Sequence, residues 1–178
     1  MAGDNSLEKT IEGCKQGRNE SFEKLINAYS KRSYAYFYRL ANDKTIAEDL
    51  TSELFVKLVE KIDSFRGGNF NSWLFRIASN IFYDHLRRKK RRQEFYEKEI
   101  NLQRQQNPSA GEDEEDWEYL QQKLQQLDDE TRELITLRYY SGMSFREISQ
   151  MRSEPIGTTL SKVHRGLKKL KTLLTKGA

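Results

Sequence analysis

Side chains able to bind a polyanion are concentrated in two stretches of the chain. The first is the run Asp84–Arg92 (DHLRRKKRR), and the second is Leu160–Ala178 (LSKVHRGLKKLKTLLTKGA). Between them lies an almost wholly acidic run, Glu112–Glu118 (EDEEDWE). A single charge run is often only the solvated face of a helix. Two basic runs on amphipathic segments favour binding to nucleic acid at two sites.

Residues suited to other chemistry are few. The chain has one cysteine, Cys14, so neither an intrachain disulfide nor a thiolate metal site is expected, and a reducing compartment is indicated. Neither His85 nor His164 lies in a sequence pattern that suggests catalysis or metal binding. We therefore expect no metal, no cofactor, no small-molecule substrate and no enzymatic activity.

The composition indicates two small domains rather than one large apolar core. The 178 residues include 31 Lys and Arg against 27 Asp and Glu, and the mean hydropathy is -0.89. The first ten residues do not resemble a secretion signal, and no stretch is apolar over the length needed to cross a bilayer. A soluble, intracellular protein is the expectation.

Apolar residues recur mainly at spacings of three and four, which predicts helices throughout the chain. In the N-terminal half, a capping box formed by Thr45 and Glu48 is expected to open the third helix, and Asn71 to cap the fourth. The polar stretch around Pro108 and Gly111 is the clearest linker. We predict an all-α protein with two helical domains joined by a flexible linker: residues 1–95, a linker over 96–116, and residues 117–178.

The C-terminal domain has the pattern of a helix-turn-helix. One helix is expected from about Asp128, and Ser144 with Glu147 forms a capping box that opens a short helix. A turn at Arg152–Glu154 then precedes a long basic helix that can enter a major groove. Leu160 falls on the apolar stripe of this last helix, so we expect it in the core.

Several motifs, in this order and spacing, resemble the extracytoplasmic-function (ECF) sigma factors of the bacterial sigma-70 family. They are Ala47-Glu48-Asp49-Leu50, Phe65-Arg66-Gly67, the segment Trp73–Asn80 (WLFRIASN), the Arg/Lys run, and Gly157-Thr158 with Ser161 and His164-Arg165. The resemblance implies sigma region 2 in the first domain and region 4 in the second. It implies an alternative sigma factor that binds core RNA polymerase, directs initiation at promoters with −10 and −35 elements, and assists strand opening.

The resemblance also implies partners and a location. Core RNA polymerase would be contacted at its clamp coiled coil and flap, promoter DNA would be bound, and an anti-sigma factor, usually membrane-associated, would hold the protein inactive in the bacterial cytoplasm. Two other functions fit the basic helices. One is a conventional helix-turn-helix regulator that acts without being a polymerase subunit, and the other, ranked last, is an RNA-binding protein.

Site residues follow from the same resemblance, position by position. The acidic face of the third helix would dock on polymerase through Glu48, Asp49, Leu50 and Glu53. The −10 strand would be bound by Phe65, Arg66, Gly68, Asn69, Phe70, Asn71, Arg76, Asn80, Arg87 and Arg88. The −35 element would be bound by Thr158, Ser161, Lys162, His164, Arg165 and Lys168.

Two positions depart from the family pattern. The turn reads Arg152-Ser153-Glu154 where an apolar residue, Gly and another apolar residue are common, and Thr159-Leu160 replaces the common Val-Lys. With Leu160 expected in the core, −35 readout is predicted to depend on Ser161, Lys162 and Arg165.

Overall fold

In the computed structural model, which describes residues 2–96 and 115–175, these ranges form helices joined by short turns, with no strand among them, as predicted. The first module (residues 2–96) and the second module (residues 115–175) each contain four α-helices. Most of the predicted linker lies outside the described residues. The helices are α1 (Ala2–Lys15), α2 (Asn19–Ala41), α3 (Lys44–Lys61), α4 (Phe70–Tyr96), α5 (Glu115–Gln125), α6 (Asp129–Tyr139), α7 (Phe145–Arg152) and α8 (Ile156–Thr175), with a 3-10 turn at Ile62–Ser64.

The core of the first module is built around aromatic rings. In its centre Tyr36 and Phe75 are fully buried and meet edge to face, with ring centroids 5.2 Å apart. Phe37 and Phe82 are buried beside them, and Leu54 and Leu58 of α3 complete the contact with α2 and α4. These apolar residues recur every three or four positions, which places them on one face of each helix.

Replacing Phe75 by alanine is expected to destabilise the folded chain by about 3–5 kcal/mol, because a large ring is removed and the surrounding core cannot collapse into the space. Urea denaturation followed by circular dichroism measures this change. The control is Val59→Ala, since Val59 is 49% exposed on α3 and its loss leaves no cavity. Equal midpoints for the two variants would contradict the assignment of Phe75 to the core.

The starts of α3 and α4 differ from the sequence prediction. Asp43, not Thr45, caps α3, where its carboxylate accepts a hydrogen bond from the backbone N–H of Ile46 at 2.9 Å. Asn69, not Asn71, caps α4 by accepting from the N–H of Ser72 at 3.0 Å. In both cases another good N-cap residue lies two positions earlier than the predicted one, and the helix begins there.

The second module is a helix-turn-helix, as predicted. Asp128 caps α6, and the predicted capping box of Ser144 and Glu147 opens α7. The turn between α7 and α8 is closed by Ser153, which has a left-handed backbone with φ of 55°. Glycine adopts this conformation more easily than serine, which explains why the family commonly has glycine there.

The expectation that Leu160 lies in the core is wrong. Leu160 is 42% exposed, and the buried face of α8 is formed instead by Thr159, Val163, Gly166 and Leu170. The reason is the close approach of α8 to α6 at Gly166, where an added Cβ would lie 2.4 Å from the Thr131 side chain. This approach fixes the rotation of α8 and turns Leu160 outward.

Candidate nucleic-acid and polymerase interface

The segment before α4 holds the first group of candidate DNA-binding residues. Gly67 and Gly68 have positive φ angles of 97° and 88°, so the chain bends there in a conformation that favours glycine. Arg66, Gly68 and Asn69 are exposed on this bend. Asn69 serves two purposes, because its oxygen caps α4 while its amide nitrogen donates to the Glu147 carboxylate of the second module.

Two of the predicted −10 residues are core residues in this structure. Phe65 and Phe70 are 6% and 3% exposed, and their rings meet edge to face with centroids 5.4 Å apart. The partly buried ring of Trp73 lies against both, at 5.5 and 5.4 Å. The three rings form a hydrophobic cluster that anchors the bend, which leaves only the polar residues of the segment facing outward.

Along α4 the remaining candidates differ in their partners. Asn80 is exposed, and its amide forms no hydrogen bond with another described residue. Arg76 donates to the backbone carbonyl of Gln150 in α7 at 2.9 Å, and Arg87 pairs with Asp84. The side chain of Asn71, also predicted for this site, donates to the carbonyl of Ser141 at 3.1 Å.

The predicted polymerase-binding face of α3 is acidic and has an apolar part that the sequence analysis missed. Glu48 and Asp49 are exposed and Glu53 is half-exposed, whereas Leu50 is buried and supports the face from inside. Val56 follows Glu53 by three positions, on the same side of the helix, and is 57% exposed. The available signal was a valine outside the apolar stripe of Leu50, Leu54 and Leu58, three residues after a glutamate.

This acidic face adjoins the basic end of α4. Arg88, a −10 candidate, pairs with Glu53 at 3.3 Å. The two side chains are both largely solvated, so the pair contributes little stability. The pair shows that the predicted polymerase-binding and DNA-binding surfaces of the first module share an edge.

On α8 most of the predicted −35 residues share one exposed surface. They are Thr158, Ser161, His164, Arg165 and Lys168. Arg165 leans along the helix, with its Nε 3.3 Å from the carbonyl oxygen of Ser161. The helix N-terminus with its small residues precedes this surface, an arrangement that suits entry into a major groove.

Lys162 differs from the other −35 candidates because it is held within the protein. Its ammonium group lies 2.8 Å from Glu130 and 2.6 Å from Glu154. Glu130 also pairs with Arg152, and Glu154 accepts a hydrogen bond from Thr159. Three of the residues that depart from the family pattern, Arg152, Glu154 and Thr159, therefore belong to one charged network that replaces apolar packing.

This network predicts an acid-sensitive contribution to stability. A hydrogen bond from Lys162, opposed by burial and assisted by Arg152, holds the pKa of Glu130 below its usual 4.5. A carboxyl with a lowered pKa stabilises the folded state above its ordinary value, and that contribution is lost as the pH falls through the lowered pKa. Glu130→Gln should lower the free energy of unfolding by less than about 1 kcal/mol at pH 7, since the Glu130 side chain is 43% exposed. The loss should be smaller still in acid.

Urea denaturation at pH 7 and in the acid range measures the difference in the free energy of unfolding between the wild type and Glu130→Gln. The control is Glu23→Gln, an exposed carboxylate of α2 without an ion pair among the described residues. If the difference in the free energy of unfolding between wild type and Glu130→Gln stays constant with pH, the prediction is contradicted.

No group of His, Cys, Asp or Glu residues suited to holding a metal ion occurs among the described residues. Within the same residues, none of the helices has both the length and the apolarity required to span a membrane.

The two modules each match a family model. Sigma-70 region 2 matches residues 25–92, and Sigma-70, region 4 matches residues 117–170. The ECF RNA polymerase sigma factor SigW of Bacillus subtilis is 30% identical over 94% of this chain and 96% of its own length. SigE of Mycolicibacterium smegmatis, also an ECF sigma factor, is 31% identical over 90% of this chain, which spans 64% of that protein.

Solved structures agree with these matches. The sigma factor RpoE of Bartonella quintana, in complex with the anti-sigma factor NepR, superposes with a TM-score of 0.76 at 27% identity, over 88% of this chain and 98% of RpoE. CnrH, in complex with the cytosolic domain of CnrY, superposes with a TM-score of 0.74 at 20% identity and shows the same fold.

Regions 2 and 4 in this order, on two helical modules, define a transcription initiation factor of the sigma-70 type. Within that class, the chain belongs to the ECF RNA polymerase sigma factors. It is an alternative sigma factor that directs transcription initiation.

Proposed function

We propose that the first module binds core RNA polymerase and the −10 strand, and that the second module reads the −35 element. The observation that carries this division is the placement of two separate exposed basic surfaces, one at the end of α4 and one on α8, with the exposed acidic face of α3 beside the first. The division follows the domains 1–95 and 117–178, with residues 96–116 as an acidic linker. Such a linker suits a segment that threads the basic channels of polymerase.

The polymerase contact of the first module is proposed for Glu48, Asp49 and Glu53, with Val56 as an added apolar contact. Leu50 acts from the core by holding α3 in place. Charged residues around an exposed apolar side chain give both salt-dependent steering and desolvated contact area. Docking on the clamp coiled coil should therefore weaken with salt, and the flap is the proposed contact of the second module.

Capture of the −10 strand is proposed for the polar residues around the bend and α4. Amides at Asn69 and Asn80 suit the edges of unpaired bases, and Arg66, Arg87 and Arg88 suit phosphates. Phe65 and Phe70 are buried, so we assign them to anchoring the bend. Separating a base-pair step costs on the order of 1.4 kcal/mol, so several contacts must share the opening of the duplex.

Readout of the −35 element is proposed for Ser161, His164 and Arg165, with Thr158 and Lys168 at flanking positions. Lys162 must leave its two carboxylates before it can bind a phosphate, so its contribution is smaller. Leu160 is exposed beside these residues and offers an apolar contact to a thymine methyl group.

The remaining expectations concern regulation and location. We propose that the chain acts in the bacterial cytoplasm, catalyses no reaction itself and is held inactive by an anti-sigma factor. The similarity to RpoE, whose structure includes the anti-sigma factor NepR, supports such a partner.

Transcription in vitro tests the proposal. Purified chain is added to core polymerase free of sigma factor, with fragmented genomic DNA as template, and the 5′ ends of the transcripts are sequenced. The expected result is a set of start sites that share −10 and −35 elements and depend on the added chain. Start sites identical with and without the chain would overturn the proposal.

A further inference from the structure

The first turn of α8 exposes two aliphatic side chains beside the polar residues of the proposed −35 surface. Ile156 is 47% exposed and Leu160 is 42% exposed. A single exposed aliphatic residue carries little information, since much of any protein surface is apolar. These two lie four residues apart, so their side chains are neighbours on the helix, with Cβ atoms about 5–6 Å apart. They form one continuous apolar edge at the start of the helix.

The same row of side chains becomes polar further along α8. His164 and Lys168 follow Leu160 at intervals of four residues, and both are exposed. In a helix-turn-helix, the N-terminal residues of the second helix contact the edges of bases in the major groove. The apolar edge therefore lies at the end of α8 that is suited to contact bases.

No available cation lies beside this apolar edge. Within residues 153–163 the one basic side chain is Lys162, which lies 2.8 Å from Glu130 and 2.6 Å from Glu154. Leu160 itself stands where the family commonly has lysine. Contact with DNA at this end of α8 must therefore depend on neutral groups more than on attraction to phosphates.

The backbone beside Ile156 is open to close approach from outside. A Cβ added at Gly157 would meet no atom of the described residues within 4 Å, so packing within this part of the chain does not require glycine. Glycine is less favourable than alanine in a helix, and it permits a ligand to approach the backbone closely. The bare backbone at Gly157 suits a helix end that lies deep in a groove.

Thymine is the base that matches an apolar side chain, because it alone carries a methyl group in the major groove. We propose that Ile156 and Leu160 are specificity-determining residues of the second module, and that each selects a thymine by its 5-methyl group. Since the two side chains are about 5–6 Å apart and base pairs are stacked about 3.4 Å apart, the two thymines lie one to two base pairs apart. This inference rests on the proposed binding of the −35 element by α8 and names the chemical group that is recognised.

The test replaces thymine by deoxyuridine, which retains every hydrogen-bonding group of the base and lacks only the methyl group. Promoters found in the transcription experiment are made with one such replacement at each A·T pair of the −35 element in turn. Each competes with the unmodified promoter for holoenzyme assembled from core polymerase and the full chain, and the ratio of the two transcripts is measured. Both templates meet the same protein, so loss of folded protein in a variant affects them equally. A deoxyuridine between the two elements is the control template.

With the wild-type chain, replacement at two thymines should lower promoter use by about fourfold each, since burial of one methyl-sized group changes a binding constant by about that factor. Leu160→Ala should abolish the preference for the methyl group at one of these thymines, and Ile156→Ala at the other. Leu160→Lys restores the charge common in the family without the apolar contact, so the preference should be absent there too. The matched control is Tyr139→Ala, which removes a 53%-exposed ring from α6 and should leave both preferences unchanged.

Equal use of thymine and deoxyuridine promoters by the wild-type chain at every A·T pair would overturn the proposal, as would a −35 element without an A·T pair. A methyl preference retained in Leu160→Ala or Ile156→Ala would overturn the role of that residue. If such a variant instead lost transcription from all promoters alike, the side chain would be a contact to polymerase. Failure of the proposed −35 function is distinguishable, because scrambling the whole element would then leave transcription unchanged.

Discussion

Replacing Asn80 by alanine should reduce open-complex formation by about tenfold to a hundredfold, because an amide that reads a base edge contributes about 1–3 kcal/mol. Asn80 is exposed on α4 and has no hydrogen-bond partner among the described residues, so its amide is free to bind a base. Its loss removes no hydrogen bond between described residues. Permanganate reactivity of unpaired thymines at the −10 element measures open complexes.

The Asn80→Ala experiment needs two comparisons. Asn27→Ala removes an exposed amide from α2, away from the proposed surface, and should leave open-complex formation unchanged. Binding of Asn80→Ala to core polymerase should also be unchanged, as measured by co-purification. Wild-type activity of Asn80→Ala on both duplex and premelted templates would contradict a role in base capture.

Helix positions and the two-module organisation could be predicted from the sequence because they depend on local patterns. The capping box of Ser144 and Glu147 needs only residues three apart, and the structure confirms it. The same local rule failed at Thr45 because Asp43, two residues earlier, is an equally good cap. A sequence motif cannot rank two cap candidates two residues apart when each could accept a hydrogen bond from the backbone N–H three positions further along.

Other features depended on tertiary contacts that no local pattern contains. Leu160 lies on the apolar stripe of α8, yet the close packing at Gly166 decides which side faces the core. Lys162 appears available for DNA until Glu130, more than thirty residues away, is found beside it.

The same limit applies to the contact between the modules. Glu133 is an ordinary charged residue in the sequence of α6, and its burial depends on Tyr36 and Tyr83 in the other module. The sequence contains a signal only in retrospect: Arg152, an unusual residue for its turn, is the countercharge of Glu133. A residue that departs from the family pattern therefore takes part in this contact.

Replacing Arg165 by alanine should weaken promoters that depend on the −35 element by about tenfold to a hundredfold, since a bidentate contact to a base contributes about 1–3 kcal/mol. Arg165 is exposed on α8 and, among the described residues, its guanidinium is held only by a long bond to the Ser161 carbonyl, so it is available to DNA. Transcription in vitro with two competing promoters, one with an intact and one with a scrambled −35 element, measures how strongly the protein prefers the intact element.

Two further variants separate base readout from charge. Arg165→Lys retains the positive charge but loses the bidentate geometry, so discrimination should fall while general affinity for duplex DNA is retained. Lys168→Ala, next along the exposed surface, should weaken binding to all duplexes alike and reduce the slope of the salt dependence by about one. If Arg165→Ala instead weakened every promoter equally, as Lys168→Ala is expected to do, Arg165 would be a phosphate contact and readout would depend on Ser161 and His164.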